Sequence, residues 1–179
     1  MLRLNSLDAD AMSLLSKTIR SSCLPVLVVL NQVDELSCVK ALMTGADDCI
    51  HQLTHAHELV ARIYAMIRRN RRVQGSATSI RVQDLEIDRS AFQLRQGERI
   101  VSLTRKEFEI LAFLASPPGI VRSAEDILRV VWGRGHEHYV QTLRVHIANL
   151  RRKIDDTQRI PKYIGTVACT GYFLIKDLT

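Results

Sequence analysis

Between Tyr139 and Asp155 the chain reads YVQTLRVHIANLRRKID, and Gln141, Arg144, Asn149, Arg151, Arg152 and Lys153 bring amide or cationic heads to that stretch. Such heads read hydrogen-bonding edges. Arg forks onto guanine, Asn or Gln pairs with adenine, and Arg or Lys sits on phosphate. To act together they must share one side of a rigid element. Leu143, Ile147, Leu150 and Ile154 recur at spacings of four, three and four. That is one apolar stripe on a helix of 3.6-residue period. The polar heads and Ala148 lie off the stripe, and no acidic residue precedes Asp155. The spacing predicts an amphipathic helix whose free side suits a DNA major groove. It equally fits a solvated cationic face on an ordinary surface helix, so the flanking elements must decide.

Composition narrows the classes. With 179 residues there is room for one domain or two small ones. Apolar residues make up 46% and charged residues 25%, which excludes a disordered chain. The formal charge of +6 and pI near 9.4 favour a polyanionic partner, though a basic pI alone also fits a membrane surface. Cys23, Cys38, Cys49 and Cys169 are scattered without a C-x-x-C pair, which predicts reduced thiols in a cytoplasmic protein rather than disulfides or a zinc site. The longest apolar run, near Val26 to Leu30, is far too short to span a bilayer, and we read no signal peptide before it. No membrane role is expected.

The first 72 residues alternate helix and strand signals. Ala11 to Arg20 is helix-like. VLVVL after Pro25 is a continuous apolar run, which fits a parallel strand covered on both faces. Asp34 to Thr44 predicts a helix ended by Gly45. Asp48 to His51 predicts a strand, and Thr54 is read as the N-cap of a helix lined by Leu59, Ile63, Met66 and Ile67. This order predicts a parallel α/β sheet. Arg68, Arg69, Arg71 and Arg72 close the last helix with charge that suits its dipole. The small polar stretch 73–79 is read as a linker.

Beyond it the pattern changes. IRVQDLEID and FQLRQGERIVSL alternate, with a hairpin turn at Gln96-Gly97, and predict a sheet of three or four antiparallel strands. Thr104 and Glu107 form a capping box, flanked by Leu103 and Phe108 as a hydrophobic staple. That helix stops at Pro117-Pro118-Gly119. Ser123 with Asp126 caps a second helix, and the loop Gly133 to His138 leads into the third. Tyr163 to Val167 and Gly171 to Ile175 predict a closing hairpin. Strands, three helices and a hairpin describe a winged helix-turn-helix.

At these residues the chain resembles the OmpR/PhoB family of two-component response regulators. LTRKEFEIL (Leu103 to Leu111), VRSAEDIL with VWG (Val121 to Gly133), TLRVHIANLRRKI (Thr142 to Ile154) and YIGTVACTGYFL (Tyr163 to Leu174) carry the resemblance along the whole domain. The recognition helix is similar in particular to the branch that regulates potassium-uptake operons. The resemblance implies double-stranded DNA as partner, with the third helix in the major groove and the wing near the minor groove. It places Gln141, Arg144, His146, Ala148, Asn149, Arg151 and Arg152 on the DNA side. Arg144 and Asn149 would take base edges, Arg151 and Arg152 phosphates, and Thr166 a wing phosphate. It assigns RNA polymerase contact to Gly133 to His138. The wing departs from the family: Ala168 and Cys169 stand where arginine and glycine are usual, and Phe173 where a basic residue is common.

PVLVVLN, the helix ending at Gly45-Ala46-Asp47-Asp48, and ELVARIYAMIRR resemble the second half of the same family's receiver domain. A receiver holds Mg²⁺ with an acidic pair after its first strand. It accepts phosphate on an aspartate after the third, and uses Thr or Ser after the fourth and Lys after the fifth. Here the upstream strands and acidic pair are missing. The phosphoacceptor position falls near Leu4 or Asn5, with Asp8 and Asp10 in the loop that follows. The switch positions are Asn31 and Gln52, and the proline usual after the latter is Leu53. The resemblance therefore implies a truncated receiver without phosphoryl transfer, cofactor or metal, retaining a face by which the family dimerises.

Asn31-Gln32-Val33-Asp34 is similar to the N-K-x-D guanine motif, but the Lys is Gln and no phosphate loop exists. Cys49, His51, His55 and His57 lack a known metal-ligand spacing. The expected architecture is α/β followed by α+β: a partial doubly wound receiver remnant (1–72), a linker (73–79) and a winged-helix DNA-binding domain (80–179). The expected function is sequence-specific transcription regulation without enzymatic activity. A second reading is a truncated regulator acting through mixed dimers with a complete one.

Overall fold

The computed structural model describes residues 1–4, 7–21, 24–31, 35–73, 79–133, 136 and 139–176, with the backbone alone at 21, 35 and 68–73. The arginines of 68–72, Asn5, Cys23, most of the 73–79 stretch and most of the Gly133 to His138 loop lie outside the described side chains. The chain divides into two units, Met1–Ser76 and Ala77–Thr179.

The first unit runs β1 (Leu2–Leu4), α1 (Ala9–Ser21), β2 (Leu27–Leu30), α2 (Glu35–Thr44), β3 (Asp48–His51) and α3 (Ala56–Val73). Its three strands are parallel in the order β1-β2-β3. The apolar run of β2 is buried throughout, and its residues alternate between faces. Val28 and Leu30 pack with Leu15, Ile19 and Ala41 of α1 and α2. Leu27 and Val29 pack with Ile50 and with Leu59, Ile63 and Met66 of α3. A strand covered on both faces must be apolar at every position, which is why the sequence shows no alternation there.

Gly45, with φ at 119°, ends α2 in a conformation open chiefly to glycine. Asp47 then accepts the Val26 amide at 2.7 Å, fixing the start of β2. Thr54 is not the N-cap of α3. Its amide is bonded to the His51 carbonyl in the turn after β3, and the first helical bond runs from Leu59 to His55. β1 carries no strand signal of its own: its three residues become a strand only by pairing with β2.

The second unit opens with a four-stranded antiparallel sheet, β4 (Ser79–Val82), β5 (Leu85–Asp88), β6 (Gln93–Gln96) and β7 (Arg99–Val101), in sequential order. The first turn falls at Gln83, φ 53°, and the last at Gly97, φ 56°. α4 (Arg105–Leu114) carries the full capping box: the Glu107 amide donates to the Thr104 hydroxyl, and the Thr104 amide donates to the Glu107 carboxylate. β8 (Arg122–Ser123) and α5 (Ala124–Val131) follow, with Ser123 capping through the Asp126 amide at 3.0 Å. Then come α6 (Val140–Lys153), β9 (Ile164–Val167) and β10 (Gly171–Leu174). β10 pairs with β9 and, at its outer edge, with β8, so the wing is three-stranded in the order β8-β10-β9. Gly171 permits this: a Cβ there would stand 1.9 Å from the Arg122 carbonyl oxygen.

Candidate nucleic-acid interface

The predicted stripe of α6 is the buried one. Leu143, Ile147, Leu150 and Ile154 are at most 2% exposed. They anchor the helix against α4 and α5, and the polar heads follow on the opposite side. Three fixtures set the helix in place. Lys153 reaches back to Glu107 of α4 at 2.6 Å. Gln96 donates to the Ile154 carbonyl at 3.1 Å, and Arg99 donates to the Lys153 carbonyl at 3.1 Å while pairing with Asp155 at 2.7 Å. The last two satisfy carbonyls that a helix C-terminus leaves open, with cationic charge at the negative end of its dipole.

On the free side Gln141, Arg144, Ala148 and Arg152 are exposed, and Asn149 and Arg151 half-buried. Exposed positions at spacings of three and four make one continuous face. Among them Arg152 donates to the Asn149 carboxamide oxygen at 2.6 Å. The Asn149 oxygen is thereby engaged within the helix, and its NH₂ remains as a donor. Among the described residues none forms a hydrogen bond or ion pair with Arg144, which is exposed. Arg151 is committed differently. It donates to the Ile164 carbonyl at 2.6 Å and to the Thr166 hydroxyl at 2.8 Å. It therefore ties α6 to β9, and Thr166 spends its oxygen on Arg151.

His146 does not lie on this face. It is 1% exposed, with its ring 5.2 Å from that of Trp132. Its position is three after Leu143 and four before Leu150, which places it on the apolar side by the helical period itself. The family resemblance places it on the DNA side; the alternative, that it packs against the helix's neighbours, is what the structure has.

Sequence reasoning missed Val145, half-buried beside Arg144. It also missed Thr157, Gln158 and Arg159, which with Ala148, Arg151 and Thr166 line an open groove of about 510 Å³ between α6 and the wing. The polar run after Asp156 was the available signal. Asp156 itself is 2% exposed and anchors the wing. Its carboxylate accepts the amides of Lys162 at 2.5 Å, Tyr163 at 3.2 Å and Ile164 at 2.8 Å.

The wing tip holds Ala168 and Cys169, the latter at φ 57° where a glycine is conformationally easier. Phe173 lies opposite Gly165 and covers it: a Cβ on Gly165 would stand 2.3 Å from the Phe173 ring. The aromatic ring thus does packing work where a basic residue was expected to reach outward. No cation stands between Ile164 and Leu174.

In the first unit, Leu4 at the expected phosphoacceptor position and Asn31 and Gln52 at the two expected switch positions sit at the strand ends. Leu4 is buried at the end of β1. Asn31 bonds its amide to the Leu4 carbonyl at 3.2 Å, and its carbonyl meets His51 Nε2 at 3.0 Å. The Gln52 carboxamide accepts from Arg3 at 2.8 Å. Asp8 is turned to α1, where it accepts the Ala11 amide at 2.9 Å. Among the described residues no cluster of His, Cys, Asp and Glu is disposed to hold a metal.

Residues 97–174 match the family described as transcriptional regulatory protein, C terminal. The phosphate regulon transcriptional regulatory protein PhoB of Rhizobium meliloti (strain 1021) is 37% identical over 153 residues, covering 84% of this chain and 66% of that protein. The chain thus spans about two thirds of its relative's length. A solved RitR mutant superposes with a TM-score of 0.75 at 26% identity, over 98% of this chain and 78% of that one. The DNA-binding domain of Klebsiella pneumoniae RstA, in complex with the RstA box, matches 55% of this chain and 97% of its own at 28% identity and a TM-score of 0.51. With the capped helices, the three-stranded wing and these relatives together, the chain belongs to the OmpR/PhoB family of response regulators, its second unit being that family's winged-helix domain.

Proposed function

We propose that the chain is a sequence-specific DNA-binding transcriptional regulator that reads the major groove through α6. The observation that carries this reading is the row of exposed Gln141, Arg144, Ala148 and Arg152, with Asn149 half-buried among them, on a helix anchored at its other side by Leu143, Ile147 and Leu150. The first turn of α6 adds to it: no acidic residue and no side-chain cap bond occupies it, which leaves N–H groups facing the positive end of the dipole, the arrangement that accepts a phosphate. That a related domain is solved with the RstA box supports DNA as the partner. Arg144 and Asn149 read base edges, and Arg152 with the helix N-terminus meets phosphates. Arg151 and Thr166 hold the wing against the helix.

Regulation proceeds without phosphorylation. Leu4, Asn31 and Gln52 supply neither an acceptor carboxylate nor the hydroxyl and ammonium that an acyl phosphate needs. Assembly runs through the first unit. Val60, Tyr64 and Ile67 of α3 are 48%, 66% and 42% exposed and fall on one face at helical spacing, while Leu59, Ile63 and Met66 fill the other. Such a stripe suits self-pairing or pairing with a complete regulator. A second reading, mixed dimers without DNA readout of its own, draws on the same stripe and on the cation-free wing. The loop from Gly133 to His138 is the surface for RNA polymerase. The protein works in the cytoplasm; no described helix is long and apolar enough to cross a membrane.

Fluorescence titration against genomic fragments at two salt concentrations tests the reading. Specific binding is weakened by Asn149→Ala and kept by Lys17→Ala. Binding that never exceeds the non-specific level refutes DNA readout and favours mixed dimers. Stable labelling of Asp8 or Asp10 by acetyl phosphate refutes phosphorylation independence.

A further inference from the structure

Cys38 of α2 and Cys49 of β3 bring their sulfurs within 3.1 Å of each other. Neither is in a disulfide and both are half-buried, packed at the margin of the core formed by Leu15, Ile19, Val28 and Ala41. Neither belongs to the DNA-reading face, and neither switch position uses them. Core cysteines ordinarily pack singly against carbon; here one thiol donates to the other. A disulfide has its sulfurs about 2.05 Å apart, so closure asks for an approach of only about 1 Å. The residues are separated by eleven positions and belong to a helix and a strand that already pack together.

The surroundings of Cys49 favour its protonated form. The hydrogen bond with Cys38 foremost, then burial, then the charges of Cys38 and Asp48, hold the Cys49 thiol well above the ordinary thiol range. Whichever sulfur ionises first accepts an S–H bond from the other. The thiolate so formed is the nucleophile toward an oxidant, and the second thiol is in place to finish the reaction.

We propose that Cys38 and Cys49 are an oxidisable dithiol, closed by hydrogen peroxide into an intramolecular disulfide that staples α2 to β3. One thiolate attacks a peroxide oxygen; the O–O bond breaks and water leaves, giving a sulfenic acid. The partner thiol attacks that sulfur, the S–OH bond breaks, and a second water leaves. Two thiols lose two electrons and two protons, and one peroxide becomes two waters.

The test treats the full-length reduced chain with hydrogen peroxide, alkylates residual thiols, and maps peptides without reductant. Cys23→Ser/Cys169→Ser, in which only this pair remains, is run beside the unsubstituted chain. The expected result is the simultaneous loss of two free thiols, a mass lower by two hydrogens, and a peptide joining Cys38 to Cys49 in the monomeric fraction, all reversed by dithiothreitol. In Cys38→Ser, Cys49 gains oxygen instead of losing hydrogen. Sulfinic acid at either cysteine of the unsubstituted chain, cross-links only between chains, or thiols that oxidise in urea but not in the folded protein overturn the proposal. Because the unsubstituted chain gives the decisive map, a variant that fails to fold does not blunt the test.

Discussion

The Arg151 guanidinium donates to the Thr166 hydroxyl at 2.8 Å, so the recognition helix and the wing share one charged strut. The sequence places both residues toward DNA phosphates, and the bond between them changes what each can do. Removing a charged donor from a carbonyl and a hydroxyl costs about 1.5–3 kcal/mol per bond, less where water can replace it. Arg151→Ala is therefore expected to lower the urea midpoint of the second unit, while the salt slope of DNA binding changes by less than the full unit of about one that a phosphate contact contributes. A full unit lost at unchanged stability makes Arg151 a phosphate ligand and not a strut.

Arg144 and Asn149 should behave in the opposite way. Neither supports the core, and the Asn149 carboxamide is oriented by Arg152 at 2.6 Å. Asn149→Ala should cost about 1–3 kcal/mol in discrimination between the true site and one with the contacted base changed, with little loss on non-specific DNA. Competition titrations with single-base variants measure this. Thermal melts should move little. Equal weakening on every sequence would place Asn149 on the backbone instead.

His146 gives a control. It is buried against Trp132, whose ring also lies under the Lys106 ammonium at 5.2 Å. His146→Ala opens a void at a packed site and should destabilise the unit by about 2–4 kcal/mol, within the range of large-to-small core substitutions. Its DNA affinity, measured on the fraction still folded, should retain its sequence preference. Selective loss of preference with stability intact returns His146 to the DNA face.

Much of the fold was legible because it rests on short-range rules. The capping box at Thr104 and Glu107, the Ser123 cap, the Gly45 stop and the α6 stripe each need only residues three or four apart, and the structure has them all. What was not legible rests on partners distant in sequence. β1 and β8 have too few residues to signal themselves and exist through β2 and β10. The Thr54 cap was overridden by a turn to His51. Arg151 reads as a free cation until Thr166 and Ile164 are folded beside it, and the resemblance that puts His146 toward DNA runs against the helical period that buries it.

Asp156 shows how much of the site's stiffness comes from one such distant set. Its buried carboxylate accepts three consecutive amides, from Lys162 to Ile164, at the entry to the wing. Asp156→Ala leaves those donors without a partner, at about 1–3 kcal/mol each when they stay buried. The expected outcome is a second unit that loses cooperative unfolding, with amide exchange across β9 accelerated far more than across α4. Uniform exchange in both elements shows that the carboxylate does not order the wing.

Acid should find the same wing from its other side. Burial pushes the Asp84 carboxyl up, but hydrogen bonds from the Tyr163 hydroxyl at 2.7 Å and the Lys162 ammonium at 3.2 Å outweigh it and hold the group below its ordinary 3.8. A carboxylate lowered in the folded state binds fewer protons there than in the unfolded chain. Its contribution is therefore complete above 3.8 and is lost as pH falls through the folded value. Asp84 is 42% exposed, so solvent screens this contribution and the effect on the midpoint is small. Urea midpoints of the unsubstituted chain and Asp84→Asn should differ at neutral pH and converge once the pH is taken well below 3.8. A gap that persists in acid assigns the stabilisation to the shape of the side chain, because its charge would by then be gone.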